Sequence, residues 1–211
     1  ELLSCLYTIF RLAKSKGDLA LEQHVEKPAE SSLFGTFPKL QNDHHAVDFL
    51  CDYLRLLTLG ASNPHEIEAI MDAELEVHHH NKLMVSGAIR TIGEAIPALG
   101  IVAAVLGVIV TMSSITEPPE VLGGLIGAAL VGTFSGIFIA YGFVAPAASN
   151  LESIYNAEHH YFMCIKAGLI GHMQGYAPQV SVEFARKVLP DEYRPSFAEL
   201  EEITQNLPAV S

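Results

Sequence analysis

The sequence has no tryptophan, only three cysteines, and no lysine or arginine between Arg90 and Lys166. Each shortage excludes something. Cys5, Cys51 and Cys164 are far apart in the chain, so no disulfide framework is expected; in cytoplasmic segments they stay reduced and act as small hydrophobes. Twelve Lys and Arg stand against 24 Asp and Glu, a net charge of −12. That removes the basic face that phosphate neutralisation needs, so nucleic acid is excluded as a partner. No segment alternates like a strand for long and no repeat recurs, which excludes sheet and solenoid architectures.

Charge is missing altogether from two apolar stretches, residues 96–112 and 121–146, of 17 and 26 residues. A helix needs about 17–25 residues to cross a hydrocarbon core of roughly 30 Å, so the pair reads as a transmembrane helical hairpin. Its loop carries Glu117 and Glu120. Eight of the Lys and Arg precede the hairpin and four follow it. Short non-translocated segments retain such residues, so both flanks read as cytoplasmic and the loop as external. The chain begins at Glu1, without Met or a signal peptide, directly in an amphipathic pattern; it is expected to be a fragment lacking its own N-terminus.

The flanks carry helical periodicity. Leu2, Leu3, Leu6, Tyr7 and Phe10 mark a first helix that Gly17 stops, and Leu19 to Val25 form a short second one. Residues 28–38, punctuated by Pro, Ser and Gly, form a loop or broken helix. Val47, Leu50, Cys51, Leu54 and Leu57 mark the next helix, which ends at Gly60. Asn63-Pro64 caps a helix that runs without a breaker towards the membrane. Beyond Pro146 the second crossing helix continues until Gly171 or Gly175. Pro178 then opens a helix that Pro190 closes, and Ser196 with Glu199 makes a capping box for a last one. The expected fold is an all-α membrane protein, a transmembrane hairpin with long cytoplasmic helical extensions and a small helical cytoplasmic domain. Its divisions are 1–94 cytoplasmic, 95–147 hairpin with external loop 113–120, and 148–211 cytoplasmic.

Within the hairpin, Gly100/Ala104, Ala103/Gly107, Gly123/Gly127 and Gly132/Gly136 are spaced four apart, which lets helix backbones approach closely where lipid offers no hydrophobic drive. Two helices alone are not expected to use so many small faces, so further helices, other copies or a partner are expected against them. Thr111, Thr133, Ser135 and Tyr141 are the hydroxyls of the apolar stretches, with no ionisable residue beside them. An ion path through lipid normally needs one, so a partner would have to supply it. For Thr133 the local reading is a back-bond to the carbonyl four residues earlier. Pro97 and Pro146 weaken the backbone ladder at the inner leaflet, as helix ends or as hinges. An enzyme alternative rests on histidine: Glu74 and His78 lie one turn apart beside His79 and His80, with His159-His160 elsewhere, as in a zinc site. Adjacent histidines face different ways round a helix, which favours a solvated patch. No metal and no cofactor are expected.

Two runs resemble the last two membrane helices of the MotA family of flagellar-motor stator proteins: Gly93-Glu-Ala-Ile-Pro97-Ala-Leu-Gly-Ile-Val-Ala-Ala-Val-Leu-Gly107 and Val131-Gly-Thr-Phe-Ser-Gly-Ile-Phe-Ile-Ala-Tyr141-Gly-Phe-Val-Ala-Pro146. Asp48-Phe-Leu-Cys-Asp-Tyr-Leu-Arg55, Glu66-Ile-Glu-Ala-Ile-Met-Asp72, Gly175-Tyr-Ala-Pro178, Val182-Glu-Phe-Ala-Arg-Lys187 and Arg194-Pro-Ser-Phe-Ala-Glu-Leu-Glu-Glu202 resemble its cytoplasmic segments. The resemblance covers nearly the whole chain, and the family's first two membrane helices would precede Glu1. It implies an inner-membrane subunit that couples ion flow to torque, in a ring of five around two helices of a single-pass MotB-like partner carrying the ion-binding aspartate. It also implies an ion path lined by Thr133, Ala104, Gly132 and Tyr141, and coupling prolines at Pro97 and Pro146. Contact with the rotor protein FliG would come through Glu22 and either Lys14 or Lys16. Sodium-type members carry threonines at the positions matching Ala104 and Gly132, so the resemblance implies a proton as coupling ion. The nearest alternative is an energiser of envelope processes of the ExbB/TolQ type.

Overall fold

The computed structural model describes residues 1–208 and is helical, with no strand among them. The helices are α1 (Leu2–Lys16), α2 (Glu22–Glu26), α3 (Ser32–Gly35), α4 (Pro38–Gln41), α5 (His44–Thr58), α6 (Pro64–Ser113), α7 (Pro119–Ile139), α8 (Ala145–Met173), α9 (Pro178–Val188) and α10 (Phe197–Gln205). Local chemistry sets the boundaries. Asp43 accepts the Ala46 N–H at 3.2 Å to start α5, and the Asn63 side chain accepts the His65 N–H at 3.2 Å beside Pro64 at the first position of α6. Ser196 and Glu199 form the expected capping box on α10. The stretch 28–38 is a broken helix, a 3-10 turn followed by α3, and Ser31 caps α3 by accepting the Phe34 N–H.

The chain divides into two compact units, one of residues 1–77 and 157–211, the other of residues 78–156. In the first, α1 is buried nearly all round, which is why its apolar residues exceed a single stripe: Leu6 and Phe10 have no exposed surface. It packs on α9, α3 and α10. Gly168 of α8 lets Leu6 and Ala185 close in: a Cβ there would stand 3.2 Å from Leu6 Cδ1 and 3.3 Å from Ala185 Cβ. Phe162 of α8 meets Phe49 of α5 edge to face at 5.2 Å. Polar ties join the long helices to this core. Lys166, almost buried, reaches Asp72 at 2.5 Å and Glu68 at 3.5 Å, and the Tyr53 hydroxyl donates to Glu74 at 2.6 Å. All three cysteines are buried here, and burial pushes the Cys51 and Cys164 thiols up to about 12.

The second unit is built the other way round. Its buried positions are small or hydroxylic, Ser86, Gly93, Gly100, Thr111, Ala129, Gly136, Ala140 and Ala148, while Leu99, Ile101, Leu106, Leu130 and Phe134 are more than half exposed. Small inside and large apolar outside is the pattern of helices packed in lipid. The α6 and α7–α8 helices are both long and apolar enough to cross a membrane.

Candidate functional site

The α6–α7 seam is where three of the four expected path residues, Ala104, Gly132 and Thr133, come together. A Cβ on Gly100 would lie 2.8 Å from the Gly132 carbonyl oxygen, and one on Gly107 would lie 2.5 Å from the Ala129 Cβ, so both helices approach to backbone contact. A Cβ on Gly132 would meet Ala103 Cβ at 3.1 Å and the Ala104 nitrogen at 3.7 Å. Ala104, Gly132 and Thr133 thus share one half-buried stretch of seam. Thr133 corrects the local reading of its hydroxyl: it donates across the seam to the Gly100 carbonyl at 3.4 Å, not back along its own helix. Thr111 does back-bond, to the Gly107 carbonyl at 2.9 Å. Three of the four small-residue pairs are therefore used inside the hairpin. The Gly123/Gly127 face meets nothing within 4 Å and stays open.

Tyr141 stands apart from that seam, strongly exposed in a π turn, Ala140–Val144, that precedes Pro146. The sequence marked Pro146 as a weak point of the ladder but did not show that it would take the form of this turn. Pro146 has no N–H to give and its ring crowds the carbonyl four residues back; widening the ladder by one residue relieves both. Pro97 lies inside α6. One turn before Pro97, Gly93 of α6 packs on the π turn, where a Cβ would stand 3.1 Å from Val144 Cγ1, and Arg90 pairs with Glu152 of α8.

In the first unit, Lys14 and Lys16 end α1, Glu22 begins α2, and all three are exposed. None makes an ion pair among the described residues; the Lys14 ammonium lies 3.5 Å from the Gly175 carbonyl. Gly17, at φ 86°, turns the chain between them. Behind this turn, buried His24 bonds Ser31 Oγ at 2.8 Å, and burial, aided by the charge of Lys16, lowers its pKa. Sequence reasoning also missed the pair of His172 Nε2 and Asp18, 3.3 Å apart, because 154 positions separate the two. No group of three His, Cys, Asp or Glu among the described residues is arranged to hold a metal ion, and Glu74 holds Tyr53 instead.

The profile of the MotA/TolQ/ExbB proton channel family matches residues 41–163, which include the seam, both prolines and the π turn. The chain belongs to this family. Motility protein A of Escherichia coli (strain K12) and that of Salmonella typhimurium are each 42% identical to it over 202 residues, 96% of this chain and 68% of theirs. Chemotaxis protein LafT of Vibrio parahaemolyticus is 32% identical over 201 residues, 95% of this chain and 70% of its own. In fold, the chain matches the flagellar MotAB stator complex from Bacillus subtilis with a TM-score of 0.72 at 26% identity, covering 91% of this chain and 68% of that one. It matches C. jejuni MotAB with a TM-score of 0.76 at 23% identity, over 92% and 69%. By this homology it is a flagellar-motor stator subunit of the proton channel type, and its family is not a known enzyme family. Its MotA homologues are inner-membrane proteins.

Proposed function

We propose that this subunit conducts protons together with a single-pass partner of the MotB type and turns their passage into torque on a FliG-like rotor protein. The observation that carries the reading is the α6–α7 seam. It offers Thr133 and backbone carbonyls but no ionisable group within the charge-free stretches, so the proton carrier has to come from a partner helix. An aspartate of that helix, changing charge beside Ala104, Gly132, Thr133 and Tyr141, changes its demand for hydrogen bonds with each proton bound and released. Pro97 and the π turn before Pro146 are the ladder defects where α6 and α8 yield. The resulting bend reaches Lys14 or Lys16 and Glu22, which exchange charge contacts with the rotor.

In this proposal residues 95–147 span the inner membrane with loop 113–120 outside, and 1–94 and 148–211 are cytoplasmic, as the Lys and Arg distribution supports. The open Gly123/Gly127 face supports packing against further helices, of other copies in a ring of five or of two central partner helices. The subunit acts without a catalytic residue or cofactor. Purification of the full-length protein from membranes, followed by identification of associated single-pass proteins, tests this. Recovery of a partner with an aspartate in its membrane helix is expected; recovery of the chain alone or with an ExbD/TolR-type partner would overturn the flagellar assignment.

A further inference from the structure

In the second unit, two contacts between α6 and its neighbour straddle a hinge. Gly93 of α6 packs on Val144, ahead of Pro146, where a Cβ would stand 3.1 Å from Val144 Cγ1 and 3.6 Å from Val144 Cβ. Arg90, three positions earlier in α6, pairs with Glu152, which lies beyond Pro146 in α8. On the same side of the hinge the Lys82 ammonium lies over the Tyr155 ring, 5.4 Å from its centroid. Lys82 and Arg90 are the only Lys or Arg of residues 78–156, and both are directed at α8. Residues 90–93 are one turn of α6, so a single straight turn bridges the stretch that holds the end of the π turn and Pro146. It cannot follow a bend in the helix it bridges. When the ladder yields there, one of the two contacts has to part.

We propose that the Arg90–Gly93 turn splints the hinge at Pro146, and that Arg90 exchanges Glu152 for Glu94 when the hinge bends. The proposal rests on the reading that bending at the prolines carries proton passage to the rotor. The ion pair is the contact that parts, because its side chains are 53% and 36% exposed and water replaces them at little cost. The Gly93 contact is close-packed, since even a methyl group there would crowd Val144. Glu94, exposed and four positions after Arg90 on α6, offers the guanidinium a second carboxylate at the spacing of helix neighbours. Arg90 is then a positioning residue. It acts through Glu152 and Glu94, not on the proton itself, and sets how much force the hinge withstands.

The experiment uses the full-length subunit with its membrane partner in motile cells, and reads rotation at high and low load together with membrane level. Arg90→Ala at normal membrane level is expected to lower high-load torque about two- to threefold, the weight of one exposed ion pair, without reducing low-load speed. Glu94→Gln should do the opposite, slowing low-load rotation while high-load torque holds, because the bent state loses its partner. Arg90→Glu and Glu152→Arg each set like charges face to face, and the two together should restore high-load torque. Torque and speed that fall in proportion in Arg90→Ala, or a double reversal no better than either single one, would overturn the splint and leave the stator reading standing. If the unaltered subunit and its partner fail to turn the rotor on the proton-motive force, both fall.

Discussion

A single hydroxyl shows what spacing can and cannot reveal. Thr133 was legible as the polar group of an apolar helix, but its acceptor was not, because the alternative to a local carbonyl exists only where Gly100 and Gly132 let α6 and α7 touch. Pro97 was legible as a ladder defect, since it lacks a donor in any context. Pro97→Ala is expected to leave membrane levels normal and to abolish or strongly impair motility; swimming at the normal rate would remove the hinge from the account. His24 could not be read as a buried base, because its burial depends on α2 and α3 folding together. Its lowered pKa has a definite sign. The unfolded chain binds a proton near pH 6.5, while the folded chain does so only at lower pH, so the stability from neutral His24 is full above about 6.5 and is lost as pH falls through the folded value. Melting temperatures of the purified protein between pH 7.5 and 5 should therefore fall less steeply in His24→Gln. An unchanged slope would show that other groups govern the acid limb.

At the scale of elements, helix limits followed from caps and breakers that act locally: Gly17, Asn63-Pro64 and Ser196 with Glu199 end or begin helices in the structure as in the sequence. The π turn was illegible. Pro146 announces a defect, but whether the helix kinks or takes an extra residue depends on what packs against it, here Gly93 against Val144. The glycines divide by the same logic. In the seam they are fixed by contact, so Gly107→Ala, whose Cβ would fall 2.5 Å from that of Ala129, should destabilise the hairpin by about 1–3 kcal/mol. Gly127→Ala should cost the isolated subunit nothing, having open space around it. Thermal unfolding in detergent compares the two, and equal effects would mean that the seam is not where the hairpin is held.

For the whole molecule, composition and charge-free length were enough to pick out the two helices that are long and apolar enough to cross a membrane, and motif resemblance was enough for the family that the relatives bear out. The division into units at residues 77 and 157 was not legible, because the apolar pattern of α6 and α8 runs through both points without a breaker. Nor was the Asp18–His172 pair, which only tertiary packing creates. The central claim is that this stator runs on protons, with Ala104 and Gly132 offering no side-chain oxygen and Thr133 turned to a carbonyl of its own hairpin. A sodium ion needs several oxygens to replace its hydration shell, whereas a proton can ride on one carboxylate. The direct measurement is rotation speed of tethered cells driven only by the full-length subunit and its partner, as external sodium and the proton-motive force are varied separately. Speed that follows the proton-motive force, stops with a protonophore and ignores sodium is predicted; speed that saturates with sodium and survives the protonophore would contradict the account.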